Sequence, residues 1–180
     1  TDFLFDETFG LNLDPTWYQA WNLKEKKLSL QTKHGVTPPV PAGEGDPKKK
    51  FAFLKLDEAP FWNFEETYEP VETWFLEAVP KSDHLVSKRH SFIGADPLLP
   101  MMFWQDLYDR NGEHWRTLYV GYRPGEWSSG ETAPYVSAVS IMDLQRMHAT
   151  VFAPSEGFRI NPPDANVNDY TPEAMPRMLD

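Results

Sequence analysis

The sequence predicts a mainly β fold, an antiparallel barrel or sandwich with two short helices, and an α+β roll is the alternative. Several short segments alternate apolar and polar residues with the period of two that is typical of half-buried strands. An Asn-Gly pair lies between two such segments, which favours a tight hairpin turn. Hydrophobic residues make up 41% of the chain and aromatic residues 14%, so a sizeable core can form.

The length and the charge of the chain exclude several classes of protein. Its 180 residues are typical of one domain, and 17 Lys and Arg against 27 Asp and Glu give a formal charge of −10. This charge opposes sequence-independent binding to nucleic acid or anionic lipid, because both depend on clustered Lys and Arg. With no cysteine, the chain forms no disulfide and no cysteine-ligated metal site.

Targeting signals give little guidance. The chain opens at Thr1 without an initiator Met or a basic leader, as a processed mature chain would. The longest apolar run, residues 98–104, is far shorter than the roughly 20 residues of a membrane span. We therefore expect a soluble chain, for which extrinsic association with a membrane stays open, and the sequence does not determine the compartment.

The first predicted element is a short helix at residues 14–21. Asp14 can cap it and Pro15 suits the first helical position. Trp17, Ala20 and Trp21 would then lie on one face, since they are spaced at i, i+3 and i+4. Strands are predicted next at residues 26–32, 50–56, 71–79 and 84–93, and a loop rich in Pro and Gly at residues 35–50 separates the first two.

The strongest local prediction is a hairpin around Asn111-Gly112. A two-residue type I′ turn would fix the register, with Trp104 opposite Tyr119 and Asp106 opposite Thr117. The same register would set Tyr108 opposite Trp115 and Asp109 opposite His114. One face of this hairpin would carry four aromatic side chains, Trp104, Tyr108, Trp115 and Tyr119.

The last predicted elements are a strand at residues 134–141 and a second helix. Ser140 and Asp143 have the spacing of a capping box, so the helix would run from there through Thr150. Prolines recur from Pro154 to the end of the chain. The predicted organisation is a β-rich domain at residues 1–153 and an extended arm at residues 154–180.

Two sets of residues are weak candidates for chemistry. Asp109 opposite His114 would be a carboxylate–imidazole pair of the kind that orients a general base, although a surface ion pair is the simpler interpretation. His84 and His90 would lie on one strand face, but their spacing of six residues corresponds to about 20 Å, too far for one metal ion. We therefore predict neither a metal site nor a cofactor.

The aromatic hairpin face is the candidate binding surface. Trp104, Tyr108, Trp115 and Tyr119 could form core, line a pocket for a flat or apolar ligand, or anchor a protein interface. Stacking on nucleic acid is disfavoured, because no basic groove accompanies these aromatic residues.

The leading hypothesis is a non-catalytic interaction or accessory subunit of a larger protein assembly. It would bind other protein subunits through its extended arms and the aromatic hairpin face, because the Pro-rich segments have no regular apolar pattern and no complete catalytic set is found. The alternative is a small β-barrel enzyme or ligand-binding protein with an aromatic pocket and His and Asp acid–base groups. A homo-oligomeric shell is a third class.

Overall fold

The strands that the structure describes form a single antiparallel sheet in which each strand pairs with the next along the chain. The structure is a computed structural model and describes residues 15–32, 45–46, 49, 57–60, 67–81, 84–97, 100–126, 130–152, 166, 168 and 171. Its strands are β1 (Tyr18–Thr32), β2 (Tyr68–Pro80), β3 (Lys88–Gly94), β4 (Met102–Tyr108), β5 (His114–Glu126), β6 (Thr132–Asp143) and β7 (His148–Phe152). The mainly β class that the sequence predicts is confirmed.

The two faces of the sheet differ in character, as strand β4 shows. Phe103, Gln105 and Leu107 are buried on one face, which we call the core face. The intervening Trp104, Asp106 and Tyr108 are half-buried on the other, which we call the ring face. Residues directly opposite on neighbouring strands share a face, so the register carries this division across the sheet.

The core lies on β4, β5 and β6. Its buried apolar cluster consists of Phe103, Leu118, Val120, Tyr122, Val139 and Ile141. On the core face, the Nε of Arg116 lies 3.3 Å from the Oδ2 of Asp143, and both side chains are almost fully buried. Each charge is compensated by the other, as burial of a charge requires.

The first two strands form a ribbon that extends past β3. Strand β2 pairs with β3 only from Thr73 to Ala78, whereas its pairing with β1 continues as far as Thr32 opposite Tyr68. The end of this β1–β2 ribbon folds over the ring face, where the indole N–H of Trp104 donates to the backbone carbonyl of Leu30. The sheet is therefore strongly curved at this end.

The helix predicted at residues 14–21 is wrong. Only Pro15–Trp17 form a short 3-10 helix, and β1 begins at Tyr18. Tyr18 and Trp21 pair with Pro80 and Ala78 on β2. Pairing with a strand far along the chain satisfies the backbone and overrides the local helical pattern, which is a common outcome for a weak local preference.

The helix predicted from Ser140 through Thr150 is also wrong. Strand β6 continues to Asp143, a turn follows, and β7 begins at His148. The Oδ1 of Asp143 accepts the backbone N–H of Arg146 at 2.9 Å, so this carboxylate closes a turn instead of capping a helix. Met147 completes the turn with a φ of 53°, a value that ends regular structure.

The hairpin between β4 and β5 forms, but its turn differs from the predicted type. The backbone N–H of Asp109 donates to Glu113, which leaves a three-residue loop in which Gly112 has a φ of 81°. The Oδ1 of Asp109 also accepts the N–H of Asn111 and of Glu113, both at 2.9 Å. These bonds select a three-residue turn with a bulge instead of the two-residue type I′ turn.

The bulge changes the register at the tip of the hairpin. Trp104 opposite Tyr119 and Asp106 opposite Thr117 are confirmed. Tyr108 pairs with His114, so the predicted pairs Tyr108–Trp115 and Asp109–His114 are wrong.

Several predicted segments lie outside the described residues. The loop at 35–50 and the arm at 154–180 are described only at isolated positions, and the strand at 50–56 is not described. The division into a domain at 1–153 and an arm at 154–180 thus stays a prediction. Within the described residues, no helix combines the length and the apolar character that a membrane crossing needs.

Candidate functional site

Trp104 and Tyr119 meet on the ring face, but they lie largely inside the protein. Their ring centroids are 4.6 Å apart, and Tyr68 from the end of the ribbon lies 6.4 and 6.2 Å from them. Tyr119 is only 2% exposed. A Cβ on Gly121 would lie 2.9 Å from the Tyr119 hydroxyl oxygen, so the tyrosine ring fits closely over a glycine. These two aromatic residues pack the curved end of the sheet.

Of the other two predicted binding residues, Tyr108 shares the ring face with this pair and Trp115 does not. Tyr108 lies on the ring face between His90 and His114, with ring centroids 4.8 and 5.3 Å away. Trp115 is the extra residue of the bulge, and its indole N–H donates to the Oδ2 of Asp143 at 3.1 Å. Three of the four aromatic residues predicted to share one face therefore do so, and Trp115 does not.

A row of polar side chains crosses the ring face instead. Asn22, Glu77, His90, Asp106 and Thr117 are successive cross-strand partners on β1 to β5, and we call them the polar row. The side-chain amide of Asn22 donates to the Oε1 of Glu77 at 3.3 Å. The Nε2 of His90 lies 3.2 Å from the Oε2 of Glu77. Because an ionised carboxylate only accepts, the imidazole is the donor.

The far end of the polar row includes His114. The hydroxyl of Thr117 donates to the Oδ1 of Asp106 at 2.8 Å. The Nε2 of His114 lies 2.9 Å from that hydroxyl oxygen and 3.4 Å from the Oδ1 of Asp106. The carboxylate beside His114 is therefore Asp106. The predicted hairpin register already set Asp106 opposite Thr117, but only the bulge brings His114 to them.

The electrostatics of the polar row favour a neutral imidazole at its centre. Burial lowers the pKa of His90, although the hydrogen bond to Glu77 opposes this shift. The hydrogen bond from Asn22, followed by that from His90, lowers the pKa of Glu77. Burial raises the pKa of Tyr108. Near neutral pH the row therefore combines an ionised carboxylate and a neutral imidazole, and the protonated phenol of Tyr108 lies beside that imidazole.

The remaining candidates, Asp109 and His84, lie elsewhere. Asp109 accepts the turn N–H groups and the side-chain amide of Gln145 at 3.1 Å, and the latter bond is the main cause of its lowered pKa. His84 packs near Trp17 and Tyr18, with ring centroids 5.9 and 6.4 Å away. Among the described residues, no group of His, Asp and Glu side chains is arranged to hold a metal ion.

An open groove of about 540 Å³ borders one end of the polar row. It is lined by Lys24, Glu25, Lys27, Phe75, Glu77 and His90. The ammonium of Lys27 lies 4.2 Å from the centre of the Phe75 ring, and that of Lys24 lies 3.5 Å from Glu77. The groove thus offers charges of both signs beside an aromatic ring.

The polar row contains one hydroxyl group, that of Thr117. Thr117 is only 4% exposed, so its hydroxyl is not available as a nucleophile.

Among the described residues, the most exposed apolar surface lies on the other side of the ribbon. Trp21, Leu23, Leu28 and Leu30 of β1 share the core-face side with Trp74 of β2, and we call these five residues the apolar strip. Their exposed fractions are 42, 64, 76, 52 and 37%. The period-two pattern of residues 26–32 predicts a half-buried strand, yet its leucines are exposed. Sequence reasoning missed this surface, because the pattern does not say which apolar face stays uncovered.

The profile of one protein family matches residues 1–176, almost the whole chain. That family is DUF1329, and its description is 'protein of unknown function'. The chain belongs to this family. No curated protein matches the chain.

Two solved structures resemble the DUF1329 chain in part. One is a domain from Vibrio parahaemolyticus whose given name is outer membrane lipoprotein-sorting protein, with 13% identity and a TM-score of 0.42 over 58% of this chain and 42% of that one. The other is a DUF1329 family protein from Desulfovibrio piger, with 14% identity and a TM-score of 0.40 over 58% of this chain and 41% of that one. The DUF1329 chain thus spans less than half the length of either.

Proposed function

We propose that this DUF1329 protein is a non-catalytic interaction subunit that docks on another protein through the apolar strip. The observation that carries this proposal is the exposure of the strip. Leu28 is 76% exposed and Leu23 is 64% exposed, although both are large apolar side chains. Contiguous exposed apolar surface of this kind is typical of interaction sites.

The shape of β1 supports this role. Its register with β2 shifts between Leu23 and Lys26. Without that bulge, Leu23 and Leu28 would point to opposite faces, because their spacing is odd. The bulge brings the apolar residues of both halves of β1 to one side. Complete burial of one such side chain contributes about 1.5–3 kcal/mol, so a partner that covers a few of them gains substantial affinity.

The composition of the strip favours a protein partner. Trp21 lies at one end of the strip and Trp74 near its middle, and tryptophan is enriched at interface hot spots. The ammonium of Lys26 lies 4.9 Å from the centre of the Trp74 ring and 2.7 Å from Glu72, so the strip carries little net charge. Its surface suits an apolar face on another protein subunit, whereas the net charge of −10 opposes nucleic acid.

The test is the native mass of the protein in a mild extract of cells that express it. The variant Leu28→Ser with Leu30→Ser removes one end of the strip, and Leu85→Ser is the matched control, because Leu85 is 52% exposed but lies outside the strip. We expect the wild type and the control to elute with another polypeptide, well above the 20.8 kDa of the chain. The double variant should elute alone.

Two results would contradict the proposal. Elution of the wild type alone near 20.8 kDa would show that the protein binds no partner in the extract. Elution of the double variant with the same partner as the wild type would show that the strip does not hold it. A large homomer would instead support the shell class.

Small-ligand binding is a second candidate function, which the groove beside the polar row favours. Glu77 and His90 line this groove and are already hydrogen-bonded to each other. Little binding free energy is therefore needed to order these two side chains when a ligand binds. The variant His90→Gln should lose a ligand bound there and keep its fold. The control is His84→Gln, which changes an imidazole outside the groove. Equal binding by both variants would remove this role.

A further inference from the structure

The tip of the β4–β5 hairpin carries a pair of residues that neither proposed function uses. Asn111 is followed by Gly112, and in the whole sequence no other Asn precedes a Gly. Both residues are exposed, and a Cβ on Gly112 would meet no heavy atom within 4 Å. The side-chain amide of Asn111 and the peptide bond after it therefore lie open to solvent.

An Asn followed by Gly can react with its own backbone. The backbone nitrogen of Gly112 loses its proton to solvent and attacks the Cγ of Asn111. A C–N bond forms, and the side-chain nitrogen takes a proton from solvent and leaves as ammonia. Glycine favours this attack because it has no Cβ to hinder a close approach.

Water completes the reaction. It opens the resulting succinimide ring at either of the two carbonyl carbons. One product is aspartate with the original backbone. The other is isoaspartate, in which the backbone runs through Cβ and Cγ of position 111 and is one carbon longer.

The folded turn restrains the attacking nitrogen. The backbone N–H of Gly112 donates to the backbone carbonyl of Asp109 at 2.9 Å. The Oδ1 of the same aspartate accepts the N–H groups of Asn111 and Glu113, also at 2.9 Å. A hydrogen-bonded N–H loses its proton less readily, because the bond is lost with the proton. The two bonds to the Asp109 carboxylate keep the turn closed and so keep this N–H bonded.

We propose that Asn111 is a deamidation site whose rate is controlled by Asp109. The nitrogen of Gly112 attacks only when the turn opens and its bond to Asp109 breaks. Once isoaspartate has formed, the longer backbone no longer fits the three hydrogen bonds that close the turn. Either product also adds a negative charge beside Asp109 and Glu113, which disfavours closure. The modified turn therefore stays open.

The same turn contacts two other connections of the sheet. The Oδ2 of Asp109 accepts the side-chain amide of Gln145, between β6 and β7, at 3.1 Å. The Nε of Arg110 donates to the backbone carbonyl of His84, between β2 and β3, at 3.2 Å. Opening of the hairpin tip therefore loosens three neighbouring connections. These bonds are exposed, so the expected effect is faster amide exchange at this end of the sheet with the fold retained.

The first experiment follows deamidation in the purified full chain by peptide mapping with mass spectrometry at mildly alkaline pH. An isoaspartyl methyltransferase distinguishes isoaspartate from aspartate in the converted peptide. We expect Asn111 to convert, and Asn22, which precedes Leu23 on β1, to stay unchanged as an internal control. The chain unfolded in urea should convert at Asn111 at least about tenfold faster than the folded chain. Equal rates in the folded and unfolded chains would overturn the control by the turn.

Variants of Asp109 then test the restraint. Asp109→Ala removes the acceptor of two N–H groups and should speed the conversion of Asn111 by about tenfold. Asp109→Asn keeps an acceptor oxygen and should stay within about twofold of the wild type. Gln145→Ala is the matched control, because it removes the other bond of Asp109 and leaves the turn bonds in place.

Three results would contradict the proposal. An unchanged rate in Asp109→Ala, with its sheet signal in circular dichroism intact, would show that Asp109 does not restrain the reaction. Equal acceleration in Gln145→Ala would show that the bonds within the turn are not the cause. An Asn111 that stays intact even in Asp109→Ala, while the unfolded chain converts, would show that it is not a site in the folded protein.

Discussion

Replacement of Arg116 by Met is expected to destabilise this protein strongly. The Nε of Arg116 lies 3.3 Å from the Oδ2 of Asp143, and the exposed fractions of the two side chains are 4 and 0%. Met keeps most of the apolar stem and removes the guanidinium, so the main effect is a buried carboxylate without its counter-charge. Such a loss typically costs about 3–5 kcal/mol of the free energy of unfolding. The indole N–H of Trp115 and the backbone N–H of Arg146 still reach Asp143, which favours the lower end of this range.

Urea denaturation followed by circular dichroism measures this cost. Arg110→Met is the control, because Arg110 is exposed at the hairpin tip and its loss should change the free energy of unfolding by at most about 0.5 kcal/mol. The double variant Arg116→Met with Asp143→Leu removes both charges, but it also removes the acceptor of the Trp115 and Arg146 N–H groups, so its loss should be smaller than the sum of the two single losses. A single variant within about 1 kcal/mol of the wild type, with an unchanged denaturant slope, would refute the reasoning.

Three further predictions concern the ring face. Gly121→Ala should cost about 1–3 kcal/mol of the free energy of unfolding, because its Cβ would lie 2.9 Å from the Tyr119 hydroxyl oxygen; urea denaturation measures this loss, and a variant as stable as the wild type would contradict the close fit. Because the pKa of His90 is lowered in the folded protein, the unfolded chain binds the proton more readily, and stability falls as the pH drops below the usual value of 6.5. The variant His90→Gln should therefore show a weaker dependence of the urea midpoint on pH between about pH 7 and 5. The same pH dependence in the variant and the wild type would contradict this prediction. Asp106→Asn should weaken the interaction between residue 106 and the imidazole of His114. The imidazole NMR signals of His114 should therefore shift, while those of His84 should stay unchanged.

Much of the sheet could be predicted from the sequence alone. The period-two segments at 71–79, 84–93 and 134–141 correspond to β2, β3 and β6, because a half-buried strand leaves its alternation in the sequence. The hairpin register was also predictable away from its tip. Both predicted helices failed for one reason, namely that cross-strand hydrogen bonds with distant residues outweigh a local capping or spacing signal.

The candidate sites were less predictable. Asp106 and Thr117 follow from the hairpin register, but Glu77 and His90 join them only because β2, β3 and β4 are neighbours in this order. Nothing local in the sequence reports that order. The apolar strip depends on a bulge in β1, which changes the side of the sheet on which Leu23 lies relative to Leu28. A one-residue shift of this kind reverses every side chain beyond it.

The sequence by itself determined the β class, most strand positions, the aromatic hairpin and the acidic character of this protein, because alternation, turn residues and charge are local properties. The tertiary structure decided which side chains meet. It buried Tyr119, aligned the polar row across β1 to β5 and left the apolar strip exposed. These outcomes depend on strand order, bulges and curvature, which arise from contacts between residues far apart in the chain.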